Sequence, residues 1–186
     1  MKKLLLTLLI ACTSAVAQVS TVTRNPASYT QEVFAYKGSR IVQVDEASSP
    51  GNEENVFIFS KVEKFAKPDV MYFQRFTKMS GQWKLNASTE MRHDGIISVT
   101  NNRKAFTDAD KNKSVDALFI YALNDNELKQ QSIHLLFSQA DKIYTIAAYK
   151  ADDYASSKLS DNFAELSPAV KNNVLTYWGK LDKADK

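Results

Sequence analysis

Short apolar runs separated by turn-forming residues recur along most of the chain at the spacing of β-strands. Runs rich in β-branched and aromatic residues lie at 33–36, 41–44, 56–62, 70–79, 82–91, 96–99, 117–123, 132–137 and 142–149. Ser80-Gly81 and the segment Ser138–Asp141 each stand between two neighbouring runs and predict hairpins. About eight or nine strands at even spacing favour antiparallel sheet over a doubly wound parallel fold.

The C-terminal segment changes from strand spacing to a helical period. Ser167-Pro168 provides an N-cap followed by proline at the first helical position. The apolar stripe that follows repeats every three to four residues: Val170, Val174, Tyr177, Trp178 and Leu181. A shorter helix is predicted over Asp152–Lys158. The fold class is therefore predicted as α+β, mainly antiparallel β-sheet with a C-terminal amphipathic helix.

The first seventeen residues have the layout of a secretory signal peptide. Basic residues at Lys2 and Lys3 precede the apolar run Leu4–Ala11, and Ala15-Val16-Ala17 offers a small-residue cleavage site. The apolar run is shorter than the roughly 20 residues that span a bilayer. We expect cleavage after Ala17 and a single exported domain over residues 18–186, periplasmic or secreted, with an extended lead-in over 18–30.

A second interpretation of this segment stays open. Leu9-Ile10-Ala11-Cys12 resembles a lipoprotein signal, in which Cys12 would carry lipid and anchor the protein to the membrane. Cys12 is also the sole cysteine of the chain. If cleavage falls after Ala17, the mature chain has no thiol and needs no oxidative folding.

Composition and charge narrow the classes of function. The chain has 24 basic and 21 acidic residues, and loss of Lys2 and Lys3 with the signal leaves 22 against 21. A nearly neutral domain lacks the positive surface that nucleic acid requires. Five glycines and two histidines offer little for phosphate-binding loops or histidine catalysis, and the sequence contains no G-x-S-x-G, H-E-x-x-H or P-loop motif.

One loop carries a pattern of metal-ligating residues. Oxygen-bearing side chains fall at alternate positions from its first to its ninth residue: Asp108, Asp110, Asn112, Ser114 and Asp116. Calcium takes six to eight oxygen ligands, so this spacing is one hypothesis for a calcium loop. Lys113 occupies the sixth position, where glycine is favoured, and Phe119 at the twelfth excludes an EF-hand. The alternative is a metal-free turn built from Asx side chains.

The remaining candidates for chemistry are two histidines, two carboxylate pairs and a group of aromatics. His93 is predicted in a turn, and His134 on a strand, facing away from Ile133 and Leu135. Glu53-Glu54 and Asp152-Asp153 are predicted as solvated loop carboxylates. The aromatics of the 70–91 hairpin are predicted as core in preference to a groove: Tyr72, Phe73, Phe76 and Trp83.

Three features in about the last 80 residues support a resemblance. They are the Asp108–Tyr121 loop that enters an apolar strand, the hairpin pairing Ile133–Phe137 with Lys142–Ile146, and the terminal helix from Leu166 to Trp178. Together they resemble an uncharacterised family of exported Gram-negative proteins labelled as surface polysaccharide biosynthesis proteins. Lys113 departs from the glycine usual in such loops. The resemblance implies an envelope role and assigns no functional residue.

These observations favour a non-enzymatic binding protein of the periplasm or envelope. One version is an inhibitor of immunity type, that is, an immunity protein that neutralises a toxin aimed at the envelope. The alternative is an accessory factor or enzyme of surface polysaccharide metabolism. The expected partner is a protein or an envelope glycan, with no nucleic acid and no transmembrane segment. An enzyme would gather carboxylates or a histidine in one pocket. Convergence of Glu53, Asp94 or His134 in a pocket would therefore argue against the binding protein.

Overall fold

A computed structural model describes residues 19–23, 25–49, 51–63 and 66–184. Within them the elements run β1 Ser20–Thr23, α1 Gln31–Phe34, β2 Arg40–Ser48, β3 Glu54–Lys61, β4 Asp69–Met79, β5 Gln82–His93, β6 Ile96–Thr107, β7 Asp116–Asn124, β8 Gln130–Gln139, β9 Lys142–Tyr149, β10 Lys158–Leu159 and α2 Pro168–Lys180. The predicted signal peptide and Cys12 lie outside the described residues.

The strands form two five-stranded sheets. Sheet A has the order β1-β2-β3-β4-β5, and sheet B has the order β10-β9-β8-β7-β6. Within each sheet every strand pairs with its neighbours in the chain, and every pairing is antiparallel; β5 and β6, consecutive in the chain, lie in different sheets. The prediction of a largely antiparallel protein with a C-terminal helix is confirmed.

The main core lies between the two sheets. Aromatic side chains of sheet A meet Phe119 of β7, with ring centroids 5.6 Å from Phe57, 5.1 Å from Phe59 and 5.6 Å from Phe73. All four rings are 1% exposed or less. Full burial of such a side chain stabilises the fold by about 1.5–3 kcal/mol, so this aromatic cluster holds the sheets together.

Each sheet also has a covered outer face. Helix α1 places Phe34 against sheet A, with ring centroids 5.4 Å from both Phe76 and Trp83. Strand β3 therefore has core on both sides: Phe57 and Phe59 face sheet B, whereas Val56 and Ile58 face the α1 side. Burial of both faces explains why the 56–59 run is continuously apolar.

Helix α2 covers the outer face of sheet B. The Ser167 side chain accepts a hydrogen bond from the Val170 backbone N–H at 3.4 Å, as its predicted N-cap role requires. Val170, Val174 and Trp178 are 5% exposed or less and pack against the apolar face of sheet B. The Trp178 indole N–H also donates to Ser157 Oγ at 2.8 Å.

Several local predictions are wrong. The 33–36 run overlaps helix α1 instead of a strand, because Phe34 reaches the sheet A core from a helical turn. The helix expected over Asp152–Lys158 is a 3-10 turn at Lys150–Asp152 followed by a chain that enters β10. Asp153 and Tyr154 both have positive φ, of 54° and 59°, which is incompatible with a continuing helix.

Strand boundaries also differ from expectation. Strand β6 continues to Thr107 through a polar stretch predicted as loop. It is an edge strand, and its pairing with β7 is interrupted between Val99 and Lys104, so its polar residues meet water. In the lead-in, β1 is followed by a 3-10 turn at Pro26–Ser28.

No helix in the described ranges is both long and apolar enough to cross a bilayer.

Candidate functional site

The Asp108–Asp116 loop folds around its own side chains. The Lys113 N–H donates to Asp108 Oδ2 at 3.1 Å, and the Asn112 N–H donates to Asp110 Oδ1 at 3.3 Å. The Ser114 N–H donates to Asn112 Oδ1 at 2.7 Å. Lys113 adopts φ +68°, the left-handed conformation that the sixth position needs. These bonds form a turn of the Asx type.

Asp116 is the most deeply buried carboxylate of this loop. It is 1% exposed, and its Oδ2 accepts from the Ala109 N–H at 3.4 Å. Oδ1 of Asp116 and Oδ1 of Asp108 are buried without a hydrogen-bond partner. Burial, reinforced by the negative charge of Asp110, raises the pKa of Asp116 to about 6. The ionised form is therefore disfavoured in this environment.

The same loop is the predicted calcium site. Across residues 19–23, 25–49, 51–63 and 66–184, no three acidic, histidine or cysteine side chains are grouped closely enough to hold a metal ion. The side-chain oxygens of Asp110 and Asn112 already accept hydrogen bonds from the loop backbone. Calcium binding stays a prediction, and it requires these side chains to rearrange.

Glu53, predicted as a solvated loop carboxylate, is half-buried and belongs to a cluster of polar side chains next to this loop. Arg75 Nη2 donates to Glu53 Oε1 at 2.8 Å, and Ser114 Oγ donates to Glu53 Oε2 at 2.8 Å. Arg75 is fully buried, and its Nε donates to Asn55 Oδ1 at 2.9 Å. Burial opposes ionisation of Glu53, but hydrogen bonds from Asn55 and Ser114 and the charge of Arg75 lower its pKa.

This cluster joins the two sheets. Glu53 directly precedes β3 and Asn55 lies at its start, Arg75 lies within β4, and Ser114 precedes β7 of sheet B. Both oxygens of the Glu53 carboxylate are already hydrogen bonded. The pairing of Glu53 with the fully buried Arg75 is typical of a structural ion pair.

His134 lies on the inner face of sheet B, opposite the face that carries Ile133 and Leu135. Its ring stacks on Tyr121 with centroids 4.8 Å apart, and its Nε2 is 2.8 Å from Ser132 Oγ. Burial, with a smaller effect from the charge of His93, lowers the pKa of His134 to about 4. Ser132 is only 2% exposed, whereas His134 is half-buried and reaches a surface groove.

A shallow groove of about 370 Å³ opens beside His134 at the β9–β10 edge of sheet B. Tyr149, 40% exposed, forms part of its floor. Four further polar residues line the groove together with the apolar Ala147 and Leu159: Thr145, Lys158, Ser160 and Asp161. The groove thus offers an exposed aromatic ring next to one cationic side chain, Lys158, and one anionic side chain, Asp161.

A second cavity, of about 400 Å³, lies at the end of the sheets where β5 turns into β6. We call it the corner cavity. Its polar side chains come from four segments: Arg40, Lys61, Lys67, Asp69 and Asn126. Lys61 Nζ forms an ion pair with Asp69 Oδ2, and the same oxygen accepts from the Ile97 N–H at 2.9 Å. The carboxylate is therefore already neutralised and hydrogen bonded.

The wall of the corner cavity is fixed by a close backbone contact. A Cβ on Gly95 would lie 2.0 Å from the Asn124 carbonyl oxygen and 2.8 Å from His93 Nε2, so glycine is required there. His93 Nε2 is itself 2.8 Å from that carbonyl oxygen. His93, predicted in a turn, is instead the last residue of β5, and its ring ties the β5–β6 corner to the end of β7.

The candidate acid and base residues lie in separate places. Glu53 belongs to the cluster that joins the two sheets, Asp94 to the exposed β5–β6 turn, and His134 to the middle of β8. No cavity described above is lined by two of them. Asp152 accepts from the Ser156 N–H at 3.3 Å in an exposed turn.

Sequence reasoning missed the corner cavity. Arg40 lies opposite Lys61 in the β2–β3 pairing. Lys67 and Asp69 lie at the entry to the next strand, β4. Strand pairing therefore brings together residues that are far apart in the chain. The one signal in the sequence was Lys67-Pro68-Asp69, a charged turn between two apolar strands.

Comparison with protein-family models, with curated proteins and with solved structures returned no match for this chain. The resemblance to exported envelope proteins therefore stays a prediction from its motifs, and any account of function rests on the chain's own geometry.

Proposed function

We propose that this chain is an exported, non-enzymatic binding protein of the periplasm or envelope, and that its ligand site is the corner cavity. The observation that carries the proposal is a concave site lined by polar side chains whose one carboxylate, Asp69, is held in an ion pair. Pockets of this size with a few convergent polar groups are the usual sites of small ligands.

The chemistry of the cavity supports binding over catalysis. A general base needs a free lone pair near the substrate. Oδ2 of Asp69 accepts from both Lys61 and the Ile97 N–H, so this oxygen is already engaged in an ion pair and a backbone hydrogen bond. The remaining polar side chains that line the cavity are the cations Arg40 and Lys67 and the amide of Asn126, which donate hydrogen bonds.

The rigidity of the cavity supports the same conclusion. Gly95 and His93 fix one wall through the Asn124 carbonyl, and the ends of β3 and β4 provide the other. A preformed site loses little conformational entropy on binding, which favours affinity.

A thermal-shift panel tests the proposal. The panel contains phosphates, carboxylates, amines, neutral sugars and apolar alcohols. It is applied to the wild type and to Asn126→Trp, whose indole fills the cavity from an exposed turn. Leu128→Trp is the matched control, because Leu128 is 63% exposed on the same turn and does not line the cavity. We expect at least one class to raise the Tm of the wild type and of L128W but not of N126W. No shift with any class would overturn the proposal.

The polysaccharide alternative has one observation in its favour, the groove at Tyr149. Sugar rings stack their C–H faces on exposed aromatic rings, while side chains such as Asp161 and Lys158 hydrogen bond to hydroxyl groups. An accessory factor of surface polysaccharide metabolism would bind oligosaccharides there. Calorimetric titration with a neutral oligosaccharide should then show binding that Tyr149→Ala removes, and equal heats for both proteins would exclude this alternative.

An inhibitor of immunity type is the version of the main proposal in which the ligand is a side chain of a partner protein. Exposed residues at the mouth of the corner cavity, Arg40 and Lys67, would then be buried by the partner. Asn126→Trp blocks a folded partner and a small ligand alike, so the thermal-shift panel separates the two versions. The panel contains only small ligands, and a Tm shift that N126W removes supports the small-ligand version.

A further inference from the structure

We infer that the corner cavity recognises an anionic group, a phosphate or a carboxylate. This inference rests on the proposed function, since it names the chemical class of ligand for the same site. The shared chemistry of the two groups is a negative charge spread over several acceptor oxygens, which is the complement of lysine and arginine donors.

The charge balance of the cavity is positive. Three cationic side chains line it, Arg40, Lys61 and Lys67, against the one carboxylate of Asp69. Lys61 and Asp69 neutralise each other. Arg40 and Lys67 form no ion pair with any other residue in the described part of the chain. A chain that is nearly neutral without its signal thus concentrates two uncompensated positive charges at one concave site.

The donors are placed at different depths. The Lys61 side chain is 8% exposed, so its ammonium is largely removed from water, while Arg40 and Lys67 are exposed at the mouth. An ammonium has three N–H donors and Asp69 takes one, which leaves Lys61 with donors for a ligand. Because Asp69 balances its charge, Lys61 contributes hydrogen-bond donors, and the net attraction for an anion comes from Arg40 and Lys67.

The size of the cavity limits the ligand. A volume of about 400 Å³ holds a small molecule or one side chain, and not a polymer. The neighbouring backbone is fixed at Gly95, so we do not expect the cavity to widen. The ligand is therefore a small anion, an anionic substituent of a larger molecule, or an acidic side chain of a partner.

Calorimetric titration at low salt tests the inference with inorganic phosphate, citrate and glucose as probes. We expect phosphate or citrate to bind the wild type and glucose not to bind. Lys67→Glu should weaken anion binding at least about tenfold, because it reverses one of the two uncompensated charges. Lys84→Glu is the matched control: Lys84 is an exposed lysine of edge strand β5 that does not line the cavity. Its binding constant should stay within about twofold of the wild type.

Comparison of the two anions distinguishes phosphate from carboxylate recognition. Tighter binding of phosphate than of citrate indicates a phosphorylated ligand, and the reverse indicates a carboxylate. Asn126→Trp should abolish binding of either anion. Equal weakening by K67E and K84E would overturn the inference, because it would show general attraction to a positive surface and no site.

The outcomes also separate this inference from the proposed function. Suppose that a neutral or apolar member of the thermal-shift panel binds, that N126W blocks it, and that phosphate and citrate do not bind. The cavity is then the ligand site, and the inference that its ligand is anionic is wrong. If no member binds, both proposals fail together.

Discussion

Replacement of Asp116, the buried carboxylate at the start of β7, tests how burial changes the pKa of a side chain and the stability of the fold. The structure raises its pKa from 3.8 to about 6, mainly through burial and next through the charge of Asp110. Each tenfold change in proton affinity corresponds to about 1.4 kcal/mol, so ionised Asp116 lowers the free energy of unfolding by about 3 kcal/mol at pH 7. Asp116→Asn removes this charge and keeps an acceptor for the Ala109 N–H.

The pH dependence fixes the sign of the effect. The unfolded chain releases the Asp116 proton near pH 4, whereas the folded protein holds it until about pH 6. Between these values the folded state binds more protons, so the contribution of Asp116 to stability falls as the pH rises and is lowest above about pH 6. We expect D116N to be more stable than the wild type by about 3 kcal/mol at pH 7 and equally stable below about pH 4.

Urea unfolding followed by tryptophan fluorescence, in EDTA and across this pH range, measures the difference. Asp94→Asn is the control, because Asp94 is an exposed turn residue whose replacement should change stability by less than about 0.5 kcal/mol at every pH. A D116N protein that is less stable than the wild type at pH 7, or a difference that does not vary with pH, would refute the reasoning.

The same pair of proteins tests calcium binding by the Asp108–Asp116 loop. The metal-free turn predicts equal Tm values in calcium and in EDTA. A bound calcium ion needs Asp116 ionised, so it would raise the Tm of the wild type and leave D116N unchanged. Equal melting curves in calcium and EDTA would remove the calcium hypothesis.

Three further predictions concern single features of the chain. Arg75→Ala leaves Glu53 without its buried partner and should lower the free energy of unfolding by about 3–5 kcal/mol in urea titrations; a loss below about 1 kcal/mol would contradict the structural role of the pair. Ser167→Ala removes the N-cap of α2 and should lower stability by about 1 kcal/mol, measured the same way, whereas an unchanged value would show that the cap is dispensable. Cys12→Ser should leave the mass of the exported protein unchanged if cleavage follows Ala17, and loss of membrane association in this variant would instead establish lipidation.

Much of the secondary structure follows from patterns within a few residues. The hairpin turn at Ser80-Gly81 joins β4 to β5, as its turn residues predict. The N-cap at Ser167 and the stripe through Val174 and Trp178 predicted α2 and its buried face. These features are local, because a turn, a cap or a helical stripe is decided by side chains within one or two turns of backbone.

The candidate site was less accessible from the sequence. Glu53 reads as a solvated loop carboxylate until Arg75, 22 residues later, is placed beside it by the β3–β4 pairing. The 33–36 run reads as a strand until Phe34 finds Phe76 and Trp83 on the outer face of sheet A. In both cases the partner is distant in the chain, and local propensity carries no information about it.

The sequence by itself determined the spacing of the strands, the terminal helix with its cap, and the polar loop at Asp108–Asp116. Only the tertiary structure decided that Ser114 of this loop meets Glu53, and that Arg40, Lys61 and Lys67 meet at one corner. The physical reason is that antiparallel pairing joins strand ends separated by tens of residues. Cavities and charge clusters therefore arise from register and sheet packing, which no short segment encodes.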